Sequence, residues 1–181
     1  LPQQDLWVSL GKAFANDAVG VAAGNHVLVR VRAEAAEHAV HFATQWVLFD
    51  TPASAAGDFA KRLEQLAAFA NQAAHAGTMR LHVVAFDQGA VEVFAGPPGQ
   101  FGASQLDVLR RRGAFGATDL ALALATVHAT PVPLTGARAV LFSDCVATAG
   151  QRDPQRLRQA VAGLAALGLA RLDVVLPAGA G

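Results

Sequence analysis

The chain has 181 residues, of which 53% are hydrophobic and 15% charged. This length is close to that of one domain, and the composition excludes a disordered, solvating polypeptide. Basic and acidic residues number 14 each, so the formal net charge is +0. The densest basic run, residues 110–112, is predicted to be a solvated helix end favoured by the helix dipole. A nucleic-acid partner is therefore not expected.

The sequence gives few indications of cellular location. The single cysteine, Cys145, excludes an internal disulfide and fits a reducing compartment. No segment reaches the roughly 18–20 apolar residues that are needed to span a membrane. Residues 1–5 contain neither the positive region of a signal peptide nor an initiator methionine. We expect a fragment or processed piece of a longer protein, whose compartment the sequence does not settle.

The first 40 residues contain two strand-like runs. Residues 6–10 are mostly apolar, and residues 26–32 alternate valine with other side chains at a period of two, which is typical of a strand. The stretch between them is rich in alanine, glycine and asparagine and is predicted to be a loop. Residues 1–40 therefore either end a preceding module or add strands to the sheet of residues 41–181.

Residues 41–181 contain further predicted strands. Continuous apolar runs, typical of strands buried on both faces, occur at residues 46–49, 81–86 and 139–142. A short turn after Asp87 predicts that residues 91–94 form an antiparallel hairpin with the preceding strand. Residues 96–99 are predicted to be a loop, and residues 172–176 to be the last strand.

Four helices are predicted between these strands. The first begins near Ser54 and ends at Gly77, and the others cover residues 104–112, 119–128 and 154–167. From residue 45 the order is β-α-β-β-α-α-β-α-β. This order predicts an α/β fold with a doubly wound, mainly parallel sheet, helices on both faces and one antiparallel edge hairpin.

Polar side chains follow the predicted strands at the edge where such sheets bind ligands. Asp50 and Asp144 each follow a buried strand, and Ser54 lies one turn beyond Asp50. Thr118 opens a helix at the same edge, where it is also predicted to be the N-cap. Two carboxylates and two hydroxyls make an all-oxygen site, which hard cations such as Mg²⁺, Ca²⁺ or Mn²⁺ prefer.

The three loops resemble the metal-ion-dependent adhesion site (MIDAS) of von Willebrand factor A (vWA) domains. Residues 50–54, Asp-Thr-Pro-Ala-Ser, resemble the Asp-x-Ser-x-Ser loop of that family. Residues 116–120 resemble its threonine loop, and residues 142–145, Phe-Ser-Asp-Cys, resemble its Ser-Asp-Gly loop. The resemblance covers roughly residues 40–181. Residues 146–150 and Asp87 are most similar to the A domains that follow a VIT (vault/inter-alpha-trypsin) domain.

The resemblance implies a set of metal ligands. Asp50 and Asp144 would bind Mg²⁺, or Mn²⁺ or Ca²⁺, directly or through water. Ser54 would bind the ion directly, and Thr118 would do so in one of two conformations. The open coordination position would take a carboxylate from a partner protein, with the metal as a bridging Lewis acid.

The chain departs from the family pattern in three ways. Pro52 replaces the first serine of the Asp-x-Ser-x-Ser loop, so one hydroxyl ligand is missing. Cys145 replaces the glycine after Asp144. The chain stops after residues 172–176, without the family's last helix-strand-helix. The first two departures make the adhesion site partly degenerate, and the third leaves a sheet edge that the N-terminal strands could fill.

Three functions remain open at this point. The first is a protein-binding adhesion module, without enzymatic activity or catalytic residues. The second is a metal-dependent enzyme acting on a phosphate-bearing substrate, which would need a lysine or arginine aimed into the site; the chain has two lysines, Lys12 and Lys61. The third is a structural subunit with a degenerate, metal-free site.

Other catalytic sites find little support in the sequence. It contains neither a G-x-S-x-G nucleophile elbow nor a phosphate-binding glycine loop. The carboxylate of Asp144 raises the pKa of the neighbouring Cys145 thiol, so Cys145 is predicted to be a packing residue and not a nucleophile.

Overall fold

The computed structural model describes residues 18–23, 26–31 and 41–176, and the chain divides into two units, Leu1–Ala39 and Val40–Gly181. In the first unit, strands β1 (Ala18–Ala23) and β2 (His26–Val31) form an antiparallel hairpin. The prediction of a loop before residue 26 is therefore wrong for β1. Its residues are mostly small and give a weak strand signal, yet β1 pairs along its whole length with β2. The strand predicted at residues 6–10 lies outside the described residues.

The second unit alternates strands and helices in the predicted order. Its strands are β3 (Thr44–Asp50), β4 (Arg80–Phe86), β5 (Ala90–Gly96), β6 (Arg138–Phe142) and β7 (Arg171–Val175). Its helices are α1 (Phe59–His75), α2 (Ala103–Arg112), α3 (Leu120–His128) and α4 (Pro154–Ala166). Within the described ranges, no helix has the length and hydropathy needed to cross a membrane.

The five strands form one sheet in the order β5-β4-β3-β6-β7. Neighbouring strands are parallel except for β5, which pairs antiparallel with β4 at one edge. The chain moves outward from β3 to β5 and then crosses back to β6 on the other side of β3. The strand order therefore reverses between β3 and β6, which is where doubly wound sheets bind ligands. The predicted fold class, including the antiparallel edge hairpin, is confirmed.

Helices cover both faces of this sheet. Successive residues of β3 point to opposite faces, so that Phe49 packs in one layer with Leu66 of α1. Leu48 packs in the other layer with Leu124 of α3 and Leu164 of α4. Because both faces of β3 and β4 are buried, these strands have the continuous apolar sequence from which they were predicted.

The predicted starts of two helices need correction. A short 3₁₀ helix, Ala53–Ala55, occupies the position where the first helix was predicted, and α1 begins at Phe59. Gly57 lies between them, where its low helix propensity favours a break. Asp119, and not Thr118, caps α3, since its Oδ1 accepts a hydrogen bond from the Leu122 amide at 3.0 Å. The predicted loop at residues 96–99 also differs, because Gly96 ends β5 and Pro98–Gln100 form a 3₁₀ helix.

The packing of α4 can be tested by truncating one of its leucines. Leu164 is 0% exposed in the core, whereas Leu167 at the end of the same helix is 44% exposed. We expect Leu164→Ala to lower the free energy of unfolding by about 2–5 kcal/mol, because the substitution leaves a cavity. Leu167→Ala is the matched control, with an expected change within about 0.5 kcal/mol. Urea unfolding measures both, and equal losses would contradict the placement of α4.

Candidate functional site

The carboxylate of Asp50 is the point where the three predicted loops meet. Phe49 of β3 pairs with Phe142 of β6, so the next residues, Asp50 and Ser143, lie side by side. The Ser143 hydroxyl donates to Asp50 Oδ2 at 2.6 Å. The Thr118 hydroxyl donates to Oδ1 and Oδ2 of Asp50 at 3.2 and 3.0 Å. All three polar residues are buried, so the structure joins the loops through one desolvated acid.

Backbone hydrogen bonds fix the first loop against the threonine loop. Pro52 forms an isolated parallel bridge with Gly116, where the Ala53 amide donates to the Gly116 carbonyl at 2.8 Å. A Cβ atom at Gly116 would clash with the side chain of Asp87, so glycine at this position lets the threonine loop lie close to Asp87. Pro52 therefore contributes to loop position where the family has a ligand hydroxyl.

A second polar cluster supports Thr51, the neighbour of Asp50. The Thr51 hydroxyl donates to Asp87 Oδ2 at 3.0 Å. Arg112 Nη2 donates to the same oxygen at 2.7 Å, and its Nε donates to the Thr51 hydroxyl at 3.2 Å. Residues 110–112 do end a helix, as predicted, but the guanidinium of Arg112 is only about a quarter exposed and pairs with Asp87. The expectation that the whole run is solvated is therefore wrong for Arg112.

Two other predicted ligands lie around this cluster. Asp144 is partly exposed and directly follows Ser143, and its Oδ1 accepts a hydrogen bond from the Val146 amide at 2.9 Å. Ser54 lies in the 3₁₀ helix and is exposed. Among the residues that the structure describes, no hydrogen bond joins Ser54 to Asp50. The role of Ser54 as a metal ligand stays a prediction.

Burial dominates the electrostatics of the site. It raises the pKa of Asp50 to about 6, against the opposing effects of the Ser143 and Thr118 hydrogen bonds and the charge of Arg62. The negative charge of Asp144 adds to the increase. Asp50 is therefore an acid for which a nearby cation would offset part of the cost of burial.

Cys145 occupies the position of the family's glycine and keeps a glycine-like backbone. Its φ of 61° is the only positive φ of a non-glycine residue in the described part of the chain. Cys145 is an exposed residue, so the prediction of a packing residue is wrong. Partial burial of the sulfur and the charges of Asp144 and Asp50 raise the pKa of the thiol. This environment disfavours a thiolate nucleophile.

Two residues of the site were not among the predicted ligands. Ser143 belongs to the Phe-Ser-Asp-Cys sequence of the third loop, but no role was predicted for its side chain. Arg62 was missed, although it lies four residues before Leu66 on the buried stripe of α1, where a charged residue is unusual. Its Nη2 donates to the Phe142 carbonyl at 2.8 Å. The enzyme alternative needs a cation at the site, and the buried guanidinium of Arg62 lies one level below Ser143 in the sheet.

The donors at this edge fit a hard divalent cation. They are carboxylate and hydroxyl oxygens, the ligand class that Mg²⁺, Mn²⁺ and Ca²⁺ prefer. Within the described ranges, no group of three or more His, Cys, Asp or Glu side chains could hold a metal ion. An ion bound here would therefore depend on hydroxyl ligands as well as on Asp50 and Asp144.

Known structures share the fold of this chain at low sequence identity. BatB of Bacteroides thetaiotaomicron, a conserved hypothetical protein, matches with a TM-score of 0.53 at 13% identity, over 74% of this chain and 64% of that one. Proximal thread matrix protein 1 of the mussel byssus matches with a TM-score of 0.51 at 21% identity, over 74% of this chain and 36% of that one. A second structure of the mussel protein, with a zinc-occupied MIDAS motif, gives 0.49 at 20% identity, over 75% and 37% of the two chains.

A domain described as von Willebrand factor type A, from Catenulispora acidiphila, matches with a TM-score of 0.49 at 17% identity, over 83% of this chain and 34% of that one. The chain thus spans about a third of the length of the mussel and Catenulispora proteins. No protein-family model and no curated protein matches the chain. The strand order and the two matches above 0.5 show the vWA-like, Rossmann-like fold. The association with a VIT domain stays a prediction.

The strain at Cys145 predicts that glycine stabilises this loop. A side chain at positive φ costs roughly 1–2 kcal/mol, of which part is offset because glycine makes the unfolded chain more flexible. We expect Cys145→Gly to raise the free energy of unfolding by about 0.5–1 kcal/mol in urea under reducing conditions. Cys145→Ala keeps the strained Cβ and is the control. Equal gains in both variants would show that the thiol, and not the backbone, is responsible.

The raised pKa of Asp50 predicts how stability depends on pH without metal. The folded protein holds this proton more tightly than the unfolded chain, whose carboxyl has the ordinary pKa of 3.8. The stabilisation is present below pH 3.8 and is lost as the pH rises through about 6, a loss on the order of 3 kcal/mol. In EDTA, the protein should lose stability relative to Asp50→Asn over this interval, as measured by urea unfolding. A difference independent of pH would contradict the assignment.

Proposed function

We propose that the second unit is a vWA-type adhesion module that binds a protein partner through a divalent cation at the carboxyl edge of its sheet. The ion, Mg²⁺ or else Mn²⁺ or Ca²⁺, would be held by Asp50, Ser54, Thr118 and Asp144. The observation that carries the proposal is the convergence of the Thr118 and Ser143 hydroxyls on the buried Asp50 carboxylate. A partner's acidic side chain would complete the coordination.

The residues of the chain would orient the ion and the partner and would not transfer protons. Ser143 fixes one oxygen of Asp50, and the Cys145 amide in turn donates to the Ser143 hydroxyl at 3.0 Å. Thr118 is held by its own amide, which donates to the Thr148 hydroxyl at 2.8 Å. A bound ion would supply a positive charge that attracts the acidic side chain of a partner. This arrangement orients oxygen ligands around one edge of the sheet, which favours the binding of an ion.

The similar fold of the mussel protein is compatible with this proposal. That protein contains zinc in its MIDAS motif. For this chain, the proposal of a divalent cation depends on its own oxygen donors and on the buried acid that they surround. The identity of the ion, the acidic group of the partner and the absence of enzymatic activity are all parts of the proposal.

A structural subunit with a metal-free site is the second candidate, and Pro52 favours it. The residue supplies no hydroxyl, and its bridge to Gly116 stabilises the loops without an ion. The enzyme alternative is weaker because Arg62 is buried and donates to a backbone carbonyl, which leaves it poorly placed to bind a phosphate. The cavity of about 320 Å³ that Cys145 lines is formed mainly by leucine, valine and alanine. Of the described residues that line it, Arg158 is the one with a charge, and the rest are too apolar to favour a phosphate-bearing substrate.

Thermal unfolding with and without divalent ions tests the proposed metal site. An ion that binds only the folded state adds about 2.7 kcal/mol at 100 times its Kd. For a chain of this size, we expect Mg²⁺, Mn²⁺ or Ca²⁺ at millimolar concentration to raise Tm by about 5–10 °C above its value in EDTA. Asp144→Ala should abolish the shift. No shift with any of the three ions would remove the metal from the proposal.

Binding experiments then separate the three candidate functions. With an acidic partner in hand, Asp50→Ala should abolish binding while the fold survives, whereas the structural candidate predicts unchanged binding. Circular dichroism of the variant is the control for folding. A phosphatase screen with Mg²⁺ and Mn²⁺ tests the enzyme alternative, and turnover that Asp144→Ala removes would favour an enzyme over an adhesion module.

A further inference from the structure

Two side chains with a formal charge are buried in the described part of the second unit. Asp50 is 0% exposed and Arg62 is 3% exposed. Buried charges are rare unless they are paired, because transfer of an ion out of water is costly. A positive and a negative group buried in one small domain therefore call for a common explanation.

The strand register, together with the contacts of the Arg62 side chain, places these two groups at adjacent levels of the sheet. Phe49 and Phe142 are paired across β3 and β6, and Asp50 and Ser143 follow them. The Arg62 guanidinium lies over the Phe49 ring, 5.2 Å from its centroid. Its Nη2 donates to the carbonyl of Phe142 at 2.8 Å. Arg62 thus contacts both residues that immediately precede the acid and the serine that binds it.

Arg62 also belongs to the helix that follows the first loop. Its backbone amide donates to the Asp58 carbonyl at 3.0 Å, just before α1 begins. Its side chain therefore connects the start of α1 to the end of β6, from which the third loop departs. Burial lowers the pKa of the Arg62 guanidinium, and the charges of Asp50, Asp58 and Asp144 oppose that effect. The charge of Arg62 in turn favours the ionised form of Asp50, against the larger effect of burial. One arginine thus links two of the three loops electrostatically and through hydrogen bonding.

We propose that Arg62 is an internal counter-charge that stabilises the site without metal and weakens its affinity for divalent cations. The first half depends only on the structure, and the second half rests on the proposed function. When no metal is bound, the fixed positive charge of Arg62 offsets the buried negative charge of Asp50. The same charge repels a divalent ion that binds to Asp50 from the solvent side. Arg62 thereby determines how readily the site exchanges between metal-free and metal-bound forms.

A double-mutant cycle in EDTA tests the counter-charge on the whole chain. Arg62→Gln keeps an amide donor for the Phe142 carbonyl but removes the charge, and Asp50→Asn removes the opposite charge. We expect Arg62→Gln to lower Tm by several degrees in the native background and by less than half as much in the Asp50→Asn background. Equal decreases in both backgrounds would overturn the proposal.

A second variant keeps this test decisive if Arg62→Gln does not fold. Arg62→Lys retains the charge and alters the geometry of the donor. We expect it to fold, with a Tm within a few degrees of that of the native protein. If Arg62→Lys is as unstable as Arg62→Gln, the shape and hydrogen bonding of arginine matter and its charge does not, and the counter-charge is refuted.

Titration with Mn²⁺ alone tests the effect on affinity. We expect Arg62→Gln to bind Mn²⁺ at least tenfold more tightly than the native protein does, because the repelling charge is removed. Arg62→Lys keeps the charge, so we expect it to bind Mn²⁺ as tightly as the native protein does. Unchanged or weaker binding by Arg62→Gln overturns this half. If no protein of the series binds Mn²⁺, the proposed metal function fails together with the effect on affinity. The cycle in EDTA still decides the counter-charge by itself.

Discussion

The burial of the Asp50 carboxylate is the constraint on which the candidate site depends. Asp50 ends the central strand of the sheet, where helices on both faces exclude water from its surroundings. An acid in this position is costly unless hydrogen bonds satisfy it, and the hydroxyls of Ser143 and Thr118 provide them from two other loops. The three loops are therefore held together because the buried carboxylate of Asp50 needs hydrogen bonds from the other two. The site is assembled by the fold before any ligand arrives.

The same packing explains which strands could be predicted from the sequence. β3, β4 and β6 are buried on both faces, so their residues are apolar without alternation and their bounds were nearly correct. β1 was missed because its alanines and glycine carry little hydrophobic signal, although only two residues separate it from β2, with which it pairs. The start of α1 was placed too early because a 3₁₀ turn precedes Gly57, which local propensity does not resolve well.

For the site, spacing along the chain predicted the meeting of loops but not every contact. Asp50 and Thr118 do meet, because Asp50 ends a strand and Thr118 precedes a helix at the same edge of the sheet. The N-cap was predicted at Thr118, but Thr118 and Asp119 are both good N-cap residues. Only the fold shows that Asp119 caps α3 and that the Thr118 hydroxyl binds Asp50. Arg62 was not predicted, since a charged side chain in a helix is normally solvated, whereas this one lies on the buried stripe. Its burial depends on the Phe142 carbonyl, eighty positions later in the chain.

The departures from the family pattern act in one direction. Pro52 exchanges a ligand hydroxyl for a backbone bridge to Gly116, so the first loop is held without an ion. Cys145 has a positive φ of 61°, a conformation that glycine adopts readily, so the third loop takes its path at the expense of strain. Arg62 provides a positive charge from within the protein, where the metal would provide one from outside. Under the proposed function, these features keep the shape of the binding edge the same whether or not a metal ion is bound. A surface of this kind can present its loops to a partner in both forms, while the ion adds the one contact that requires an acidic group.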